Sequence, residues 1–285
     1  MDALWTGLPP VTRGWNIAIV ATATLITLNK VKSSNLLFVP DKAFSNQNWR
    51  LVSSFFTFGE LSMNLFMEFW FVSNSCRRVE DSFTISILPK VVDSFNPQQR
   101  KLLQELIERN KSIDFLYYLI QISMSIVIAA TFGYYKLRVN LLELGNVLCH
   151  LLIYIDSKHS PEELMNLFGI FQFKNVYFPW ICACLHWLVL TVNLLDVNWK
   201  FSFEIVAKPL IWFYTVAYGL GHLWWVTKDF LLQKVHNDEE DARRILRSDT
   251  LKQFKVFKLD LVKEFLLMAF LPPWYWIIIS KIQRG

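Results

Sequence analysis

The sequence lacks the short motifs that mark two common kinds of enzyme site. None of its nine glycines begins a Gly-x-Ser triplet, so the Gly-x-Ser-Gly nucleophile of an intramembrane serine protease is absent. A glycine-rich loop of the kind that cradles phosphate groups is absent too. These absences argue against both classes of enzyme, and the sequence offers no catalytic residues.

Cysteine and histidine are scarce and poorly placed for metal binding. The four cysteines lie in or at the edge of apolar segments, so a disulfide framework is not predicted. Cys182, Cys184 and His186 come closest to a ligand set, but in a helix Cys184 points away from the other two. No second cluster completes four-coordination. The sequence therefore predicts neither a metal nor another cofactor.

Charged residues make up only 19% of the 285 residues, against 53% hydrophobic and 16% aromatic residues. This composition is too apolar for an ordinary soluble domain and indicates several membrane spans. The net charge of +5 does not indicate a nucleic-acid partner, because the basic residues are scattered between apolar blocks. We predict an all-α membrane protein with six transmembrane helices, at residues 15–29, 51–74, 113–135, 141–155, 177–195 and 209–228.

Lysine and arginine determine the predicted orientation, because cytosolic loops are rich in them. With both ends of the chain in the cytosol, most of the 29 basic residues fall on the cytosolic side. The start of the chain has no basic segment followed by an apolar core, so we expect the first span to act as an uncleaved targeting signal. The first and fourth blocks give only roughly 22 Å of helix, which predicts a locally thinned bilayer.

Two segments lie outside the predicted spans. Residues 97–112 form a predicted amphipathic helix, which fits the membrane surface, a partner or a solvated connection equally well. Its apolar face carries Leu102, Leu103, Leu106 and Ile107. Residues 231–285 begin with a charged stretch and end in an apolar run that Pro272-Pro273 interrupts. We expect this tail to be cytosolic, with an interfacial segment and no seventh span.

The second block carries four polar residues spaced three or four apart, Thr57, Glu60, Asn64 and Glu68. In a helix this spacing places them on one face. Polar groups in hydrocarbon are costly unless they face protein or water, so this face predicts a polar groove inside the bundle. Two carboxylates so placed also suit a proton relay, and hydrogen bonds to neighbouring helices are the structural alternative.

The sixth block contains a pattern that favours close helix packing. Ala217 and Gly221 form a small-xxx-small pair, which lets a second helix approach backbone to backbone. The next residue, His222, has no evident nucleophile partner, and we expect it to form a hydrogen bond within the bundle.

A resemblance to a known family runs through all the blocks up to residue 230. It rests on five stretches, GLPPVTRGW (7–15), NWRLVSSFFTFGELSMNLF (48–66), SCRRVEDSF (75–83), MNLFGIFQFKNVYFPW (165–180) and GLGHLWWVTKDF (219–230). It is strongest at Trp49-Arg50, Pro179-Trp180 and Gly221-His222. Together these stretches resemble the derlin family, in particular its fungal members.

The resemblance implies a fold and a function. Derlins are catalytically inactive relatives of rhomboid proteases, which implies a rhomboid-like bundle of six helices, multi-pass in the endoplasmic reticulum membrane. They serve ER-associated degradation, where misfolded proteins return to the cytosol for ubiquitination, and they belong to the unfolded protein response. The implied partners are membrane lipids, misfolded client proteins, and a RING-type ubiquitin ligase complex with its adaptors.

A few family residues transfer by position. Trp49 and Arg50 match the family's Trp-Arg pair in the first luminal loop. Gly221 matches the second small residue of the sixth-helix motif, whereas Ala217 replaces its first glycine. The tail has no Phe/Gly-rich box that recruits the AAA+ extraction ATPase, so contact with that ATPase would be indirect. The resemblance defines a membrane domain of residues 1–230 and leaves out the insert near 88–112 and the tail.

The residues and the resemblance lead to one functional hypothesis. Trp49 would lie at headgroup depth, and Arg50 would snorkel toward the phosphates. The polar face of the second span would line a groove in a thinned bilayer, which lowers the cost of passing unpaired peptide groups. The alternatives are a proton-coupled small-solute transporter that uses Glu60 and Glu68, and an active intramembrane protease.

Overall fold

The computed structural model describes residues 7–85, 95–167, 171–194, 199–231, 265–266 and 270–284. These residues are mostly helical, in agreement with the predicted class. The helices are α1 Pro10–Thr27, α2 Pro40–Ala43, α3 Arg50–Ser53, α4 Met63–Ser82, α5 Pro97–Phe132, α6 Leu144–His159, α7 Phe178–Leu194, α8 Trp199–Trp225 and α9 Trp274–Arg284. The π-helical segments Gly133–Leu137 and Val226–Leu231 continue α5 and α8.

The chain forms two compact units. The first consists of Met1–Asp81 with Ile120–His222, and the second of Ser82–Leu119 with Leu223–Gly285. The described parts of the insert near 88–112 and of the tail belong to the second unit, and the division into a membrane domain of residues 1–230 and a tail stays a prediction. The charged first half of the tail lies outside the described residues.

Each of the six predicted spans coincides with all or part of a helix, namely α1, α4, α5, α6, α7 or α8. Within the described part of the chain, however, only Pro97–Leu137 is long and apolar enough to cross a membrane by itself. Six spans therefore stay a prediction. The 16 residues of α6 rise only about 24 Å, less than the roughly 30 Å of a bilayer core, as expected for a short fourth span.

The second predicted span is divided in the structure. The short helix α3 ends at Ser53, and α4 begins only at Met63 and extends to Ser82. Between them Gly59 has a φ of 92°, which glycine adopts readily and other residues do not. The prediction of one helix over 51–74 is wrong. Phe55 and Phe58 lie in the irregular loop between α3 and α4, but their side chains are buried, so the loop has the apolar composition of a span.

The predicted amphipathic segment and the third span form one continuous helix. Residues 97–112 are the first turns of the 36-residue α5, not a separate surface helix. Leu102 is 49% exposed, so it does not belong to the packed face that the sequence predicts. The partner of that face is the chain's own C-terminal segment, in a core of Phe95, Leu103, Leu271, Tyr275, Ile279 and Ile282, with Leu106 and Ile107 packed against it.

Polar contacts fix α9 to α5 within the second unit. The Asp114 carboxylate accepts hydrogen bonds from Trp274 Nε1 at 3.0 Å and from the Tyr275 hydroxyl at 2.6 Å. Further along α9, Gln99 Nε2 donates to the carbonyl of Ile282 at 2.8 Å. The 11 residues of α9 rise about 16 Å and cannot cross a bilayer core. The described end of the tail is therefore a docked helix.

The all-α prediction misses a β-hairpin between α6 and α7. Strand β1, Leu164–Leu167, pairs antiparallel with β2, Phe171–Lys174, with Met165 opposite Phe173. Met165 is buried, and the Phe173 ring stacks on Phe178 at 5.9 Å. The sequence hides this hairpin because the apolar run through both strands and the start of α7 shows no clear period of two.

The N-terminus of α1 is capped by a carboxylate from α4. Glu80, 1% exposed, accepts hydrogen bonds from the backbone N–H groups of Val11 at 3.2 Å and Thr12 at 2.9 Å, and from the Thr12 hydroxyl at 2.8 Å. Helix α1 has no side-chain cap of its own, so Glu80 supplies the acceptors that its first turn needs. Glu80 lies in the SCRRVEDSF stretch, but nothing in its sequence neighbourhood indicates a cap for a distant helix.

Replacing Glu80 by Ala is expected to lower the free energy of unfolding by about 1–2 kcal/mol, the usual cost of losing a helix cap. The thermal unfolding midpoint in detergent measures the change. Asp81→Ala is the matched control, because its ion pair with Arg77 is 3.5 Å long between two exposed side chains and contributes little. Equal midpoints for the two variants would show that the Glu80 cap does not contribute to stability.

Candidate functional site

The Trp-Arg pair lies at the start of α3, where Arg50 is buried. Only 2% of Arg50 is exposed. Its Nη1 donates to the carbonyls of Ser34 at 2.8 Å and Leu37 at 2.7 Å, and its Nε donates to Gln47 Oε1 at 2.5 Å. One guanidinium thus holds the loop after α1 against the turn before α3.

The prediction that Arg50 snorkels to lipid phosphate is therefore wrong. The loop itself supplies the acceptors, and a buried guanidinium with three hydrogen bonds is satisfied without phosphate. Trp49 differs from its neighbour. It is 54% exposed, and its indole N–H donates to the carbonyl of Asn35 at 3.3 Å. Headgroup depth for Trp49 stays a prediction.

Further contacts fix the same loop to the segment between α5 and α6. The Asp41 carboxylate accepts hydrogen bonds from the hydroxyls of Tyr134 at 2.5 Å and Tyr135 at 2.7 Å, and these bonds lower the pKa of Asp41. The backbone N–H of Phe38 donates to the carbonyl of Leu142 at 2.9 Å. The loop that contains the Trp-Arg pair is thus a folded platform, held by side-chain and backbone hydrogen bonds.

The four predicted groove residues do not share a helical face. Thr57 and Glu60 precede α4, and only Asn64 and Glu68 lie on it. Thr57 is fully buried and donates to the carbonyl of Ser53 at 2.9 Å, whereas Glu60 and Asn64 are exposed and Glu68 is half-buried. The helical spacing that predicted one face fails because the helix begins after Glu60.

Glu68 meets a different acidic residue from the one predicted. Glu143 and Asn146 are the polar neighbours of Glu68. Asn146 Nδ2 of α6 donates to Glu143 Oε2 at 2.9 Å. Asn146 therefore lies beside two carboxyl groups from different parts of the chain. The sequence paired Glu68 with Glu60 because they are near in the chain, and no sequence signal indicated Glu143.

The small-residue pattern of α8 packs against α6. Ala217 is fully buried, and a Cβ added to Gly221 would lie 3.1 Å from Cδ1 of Tyr154 and 3.4 Å from the carbonyl oxygen of Leu151. Beside this contact the Tyr154 hydroxyl and His222 Nδ1 are 3.0 Å apart. The predicted close approach at Gly221 and the predicted hydrogen bond of His222 are both present.

A histidine and aromatic cluster lies between α6, α7 and α8. The rings of His150 and His186 stack with centroids 6.1 Å apart, and His186 Nδ1 lies 2.9 Å from the Tyr214 hydroxyl. His150 is 9% exposed, and its Nδ1 has no hydrogen-bond partner. Among the described residues, no group of three or more His, Cys, Asp or Glu side chains is placed to hold a metal ion.

An ion-pair network that sequence reasoning missed joins α4, α6 and the hairpin. Arg78 Nε pairs with Asp156 Oδ1 at 3.0 Å, and its Nη2 pairs with Glu163 Oε2 at 2.8 Å. Asn175, fully buried, donates to the carbonyl of Asp156 at 3.1 Å. The only sequence signal was the SCRRVEDSF stretch, which gave no partner for either arginine.

Comparison with known proteins identifies the family. Residues 8–199 match the sequence model described as the Der1-like family. The chain belongs to the Der1-like family. The platform with Trp49 and Arg50, the Arg78 network and the Glu68–Asn146 contact all fall inside the matched range. The α8 residues Ala217, Gly221 and His222 lie beyond it.

Curated proteins of the Der1-like family named derlins are similar to this chain. Derlin-2.1 of Arabidopsis thaliana is 26% identical over 180 residues, which are 61% of this chain and 64% of that relative, just under two thirds of its length. Derlin-2.1 of Zea mays is 26% identical over 228 residues, 78% of this chain and 75% of the relative. The probable derlin-2 homolog of Dictyostelium discoideum is 27% identical over 214 residues, covering 73% and 75%. The predicted derlin resemblance is confirmed.

Proposed function

We propose that this chain is a non-catalytic component of ER-associated degradation that assists the return of misfolded luminal and membrane proteins to the cytosol. The observation that carries the proposal is the Der1-like match over residues 8–199. The same membership supports a multi-pass location in the endoplasmic reticulum membrane and a bundle related to inactive rhomboids. The absence of a Gly-x-Ser triplet is consistent with a role in which no bond is made or broken.

The proposed path for a client follows the polar residues around the start of α4. Glu60 and Asn64 are exposed there, and Glu68 lies one turn further along the helix, in contact with Asn146. Exposed polar groups within a membrane bundle give an unfolding chain hydrogen-bond partners, which reduces the cost of moving peptide groups out of water. The platform held by Arg50 supplies a rigid border, and the short α6 supports local thinning of the bilayer.

A chase of a misfolded luminal client tests this path. Cells would carry Glu60→Leu with Asn64→Leu, and we expect the client to persist longer than with the unchanged chain. Both side chains are exposed, so their replacement should leave the fold and the protein level intact. Glu105→Leu, at an exposed glutamate of α5, is the matched control and should leave client half-life unchanged. An unaltered half-life in the double variant, at normal protein level, would contradict the polar path.

Transport of a small solute coupled to protons is the second candidate function. The observation that favours it is the proximity of Glu68 to Glu143 and Asn146, because neighbouring carboxyl groups in a membrane bundle are typical of proton relays. Uptake by proteoliposomes that contain the purified chain, driven by a pH gradient, would support transport. Co-purification of a RING-type ubiquitin ligase with its adaptors in mild detergent would support the degradation role.

A further inference from the structure

The outer face of α9 carries apolar and basic side chains. Trp276 is 42% exposed and Ile277 is 60% exposed, and Lys281 one turn further along is exposed as well. Ile277 and Lys281 lie on the side of the helix opposite Tyr275, Ile279 and Ile282, which are buried against α5, and Trp276 lies on its flank. A short helix that packs its inner face on protein and still exposes a tryptophan and an isoleucine has a second apolar surface to cover.

An exposed apolar face of α5 begins at the same level as α9. Ile113 and Leu116 are 57% and 47% exposed, and they flank the buried Asp114 in the sequence. Exposed apolar side chains continue along the same helical face at Ile120, Met124 and Ile128. This helix is the part of the described chain that is long and apolar enough to cross a membrane. Asp114 is the last charged residue of α5 before this apolar stretch, so we take it as the level at which α5 would enter a bilayer.

Hydrogen bonds place the start of α9 at this depth. Trp274 and Tyr275 both donate to Asp114, and the rings of Tyr117 and Trp274 contact each other with centroids 5.4 Å apart. The next two residues of α9 are Trp276 and Ile277. Tryptophan is favoured at the level of lipid headgroups, and a nearby lysine is attracted to anionic lipids.

We propose that α9 is a membrane-interface helix that inserts Trp276 and Ile277 into the leaflet where α5 enters the bilayer, with Lys281 toward the headgroups. The occupant of its outer face is lipid, because this face lies beside the exposed apolar face that begins at Ile113, on the helix long and apolar enough to cross a membrane. The inner face meanwhile fastens α9 to α5. This contact would thereby brace the first turns of α5 where they leave the membrane. This inference does not depend on the role in degradation.

Spin-label accessibility tests the proposal with the full chain in nanodiscs of phosphatidylcholine and phosphatidylserine. Cys184→Ser removes the exposed thiol, and the other three cysteines are buried and should not react with the label. Single labels then follow from Ile277→Cys, from Ile113→Cys as the lipid reference, and from Glu105→Cys as the aqueous reference. All three positions are exposed, so the labels should not disturb the fold.

The expected result is that the label at 277 is relaxed more by oxygen than by a water-soluble nickel chelate, as at 113 and opposite to 105. A nickel accessibility equal to that at 105 would overturn the proposal, because the outer face would then lie in water. An immobilised label with low accessibility to both reagents would also overturn it, since a protein surface, such as a second copy, would then cover the face.

Discussion

Replacing Arg50 by Met is expected to destabilise the protein more than any other single substitution of a charged residue proposed above. Methionine fills a similar length but has no donor, so the partly buried carbonyls of Ser34 and Leu37 lose the hydrogen bonds that the buried guanidinium gives them. An acceptor left unpaired costs about 1–3 kcal/mol when fully buried, so these two partly buried carbonyls should cost about 2–4 kcal/mol in total. We expect the thermal unfolding midpoint to fall by about 5–10 °C and the loop after α1 to become accessible to protease.

The matched control is Arg13→Met, which removes an exposed arginine near the start of α1 and should leave the midpoint nearly unchanged. Arg50→Lys should recover part of the loss, since an ammonium can donate to the carbonyls but lacks the planar fork of a guanidinium. If Arg50→Met unfolds at the same temperature as Arg13→Met, the guanidinium does not hold the loop together. Lipid phosphate would then be its better-supported partner.

Arg50 shows what the sequence could and could not predict at the candidate site. A basic residue beside an apolar run is a visible anomaly, and it correctly indicated a special position. Its partners, Ser34 and Leu37, contribute backbone carbonyls, and the sequence gives no sign of where a carbonyl points. The direction of the side chain, into protein and not toward lipid, therefore came only from the structure.

The second span shows how an apolar run misleads at the level of the fold. Hydrophobic blocks located most of the described helices, because burial and lipid contact both select apolar residues. Around residue 55 the same composition belongs to a loop that buries its phenylalanines in protein, and Gly59 takes a backbone conformation that no pattern announces. Because of this error, Thr57 and Glu60 were predicted to share a helical face with Asn64 and Glu68, whereas they precede the helix.

Contacts between distant segments explain the rest of the difference. Glu80 caps α1 across 68 residues, Arg78 reaches Asp156 across 78 residues, and Asn146 meets Glu68. Local spacing cannot show such pairs. These polar contacts hold α1, α4 and α6 together, so the bundle is stabilised by hydrogen bonds and ion pairs as well as by apolar packing. The bundle thus contains buried polar contacts, but most of the residues that form them are not the predicted groove residues, and the groove itself stays a prediction.

Replacing Gly145 by Ala is the second substitution with a large expected effect on stability, and the same change at Gly219 should have the opposite sign or no effect. Gly145→Ala should destabilise the protein by about 1–3 kcal/mol, because the new Cβ would lie 2.6 Å from the backbone carbonyl of Phe55 and 2.7 Å from the ring of Phe58. A backbone atom cannot move aside as a flexible side chain can. The clash would also weaken the 3.0 Å hydrogen bond from the Gly145 N–H to the carbonyl of Ser54, which joins α6 to the end of α3.

Gly219→Ala is the counterpart, since nothing lies within 4 Å of its added Cβ and the residue is in the interior of α8. There alanine should leave stability equal or raise it by up to about 1 kcal/mol through better helix propensity. Thermal unfolding in detergent is followed by far-ultraviolet circular dichroism. The midpoint of Gly145→Ala should lie below that of the unchanged chain, and the midpoint of Gly219→Ala should lie at or above it. If Gly145→Ala melts with or above Gly219→Ala, the close approach of α6 to the Phe55–Phe58 loop is wrong, and the platform would be free to separate from the bundle.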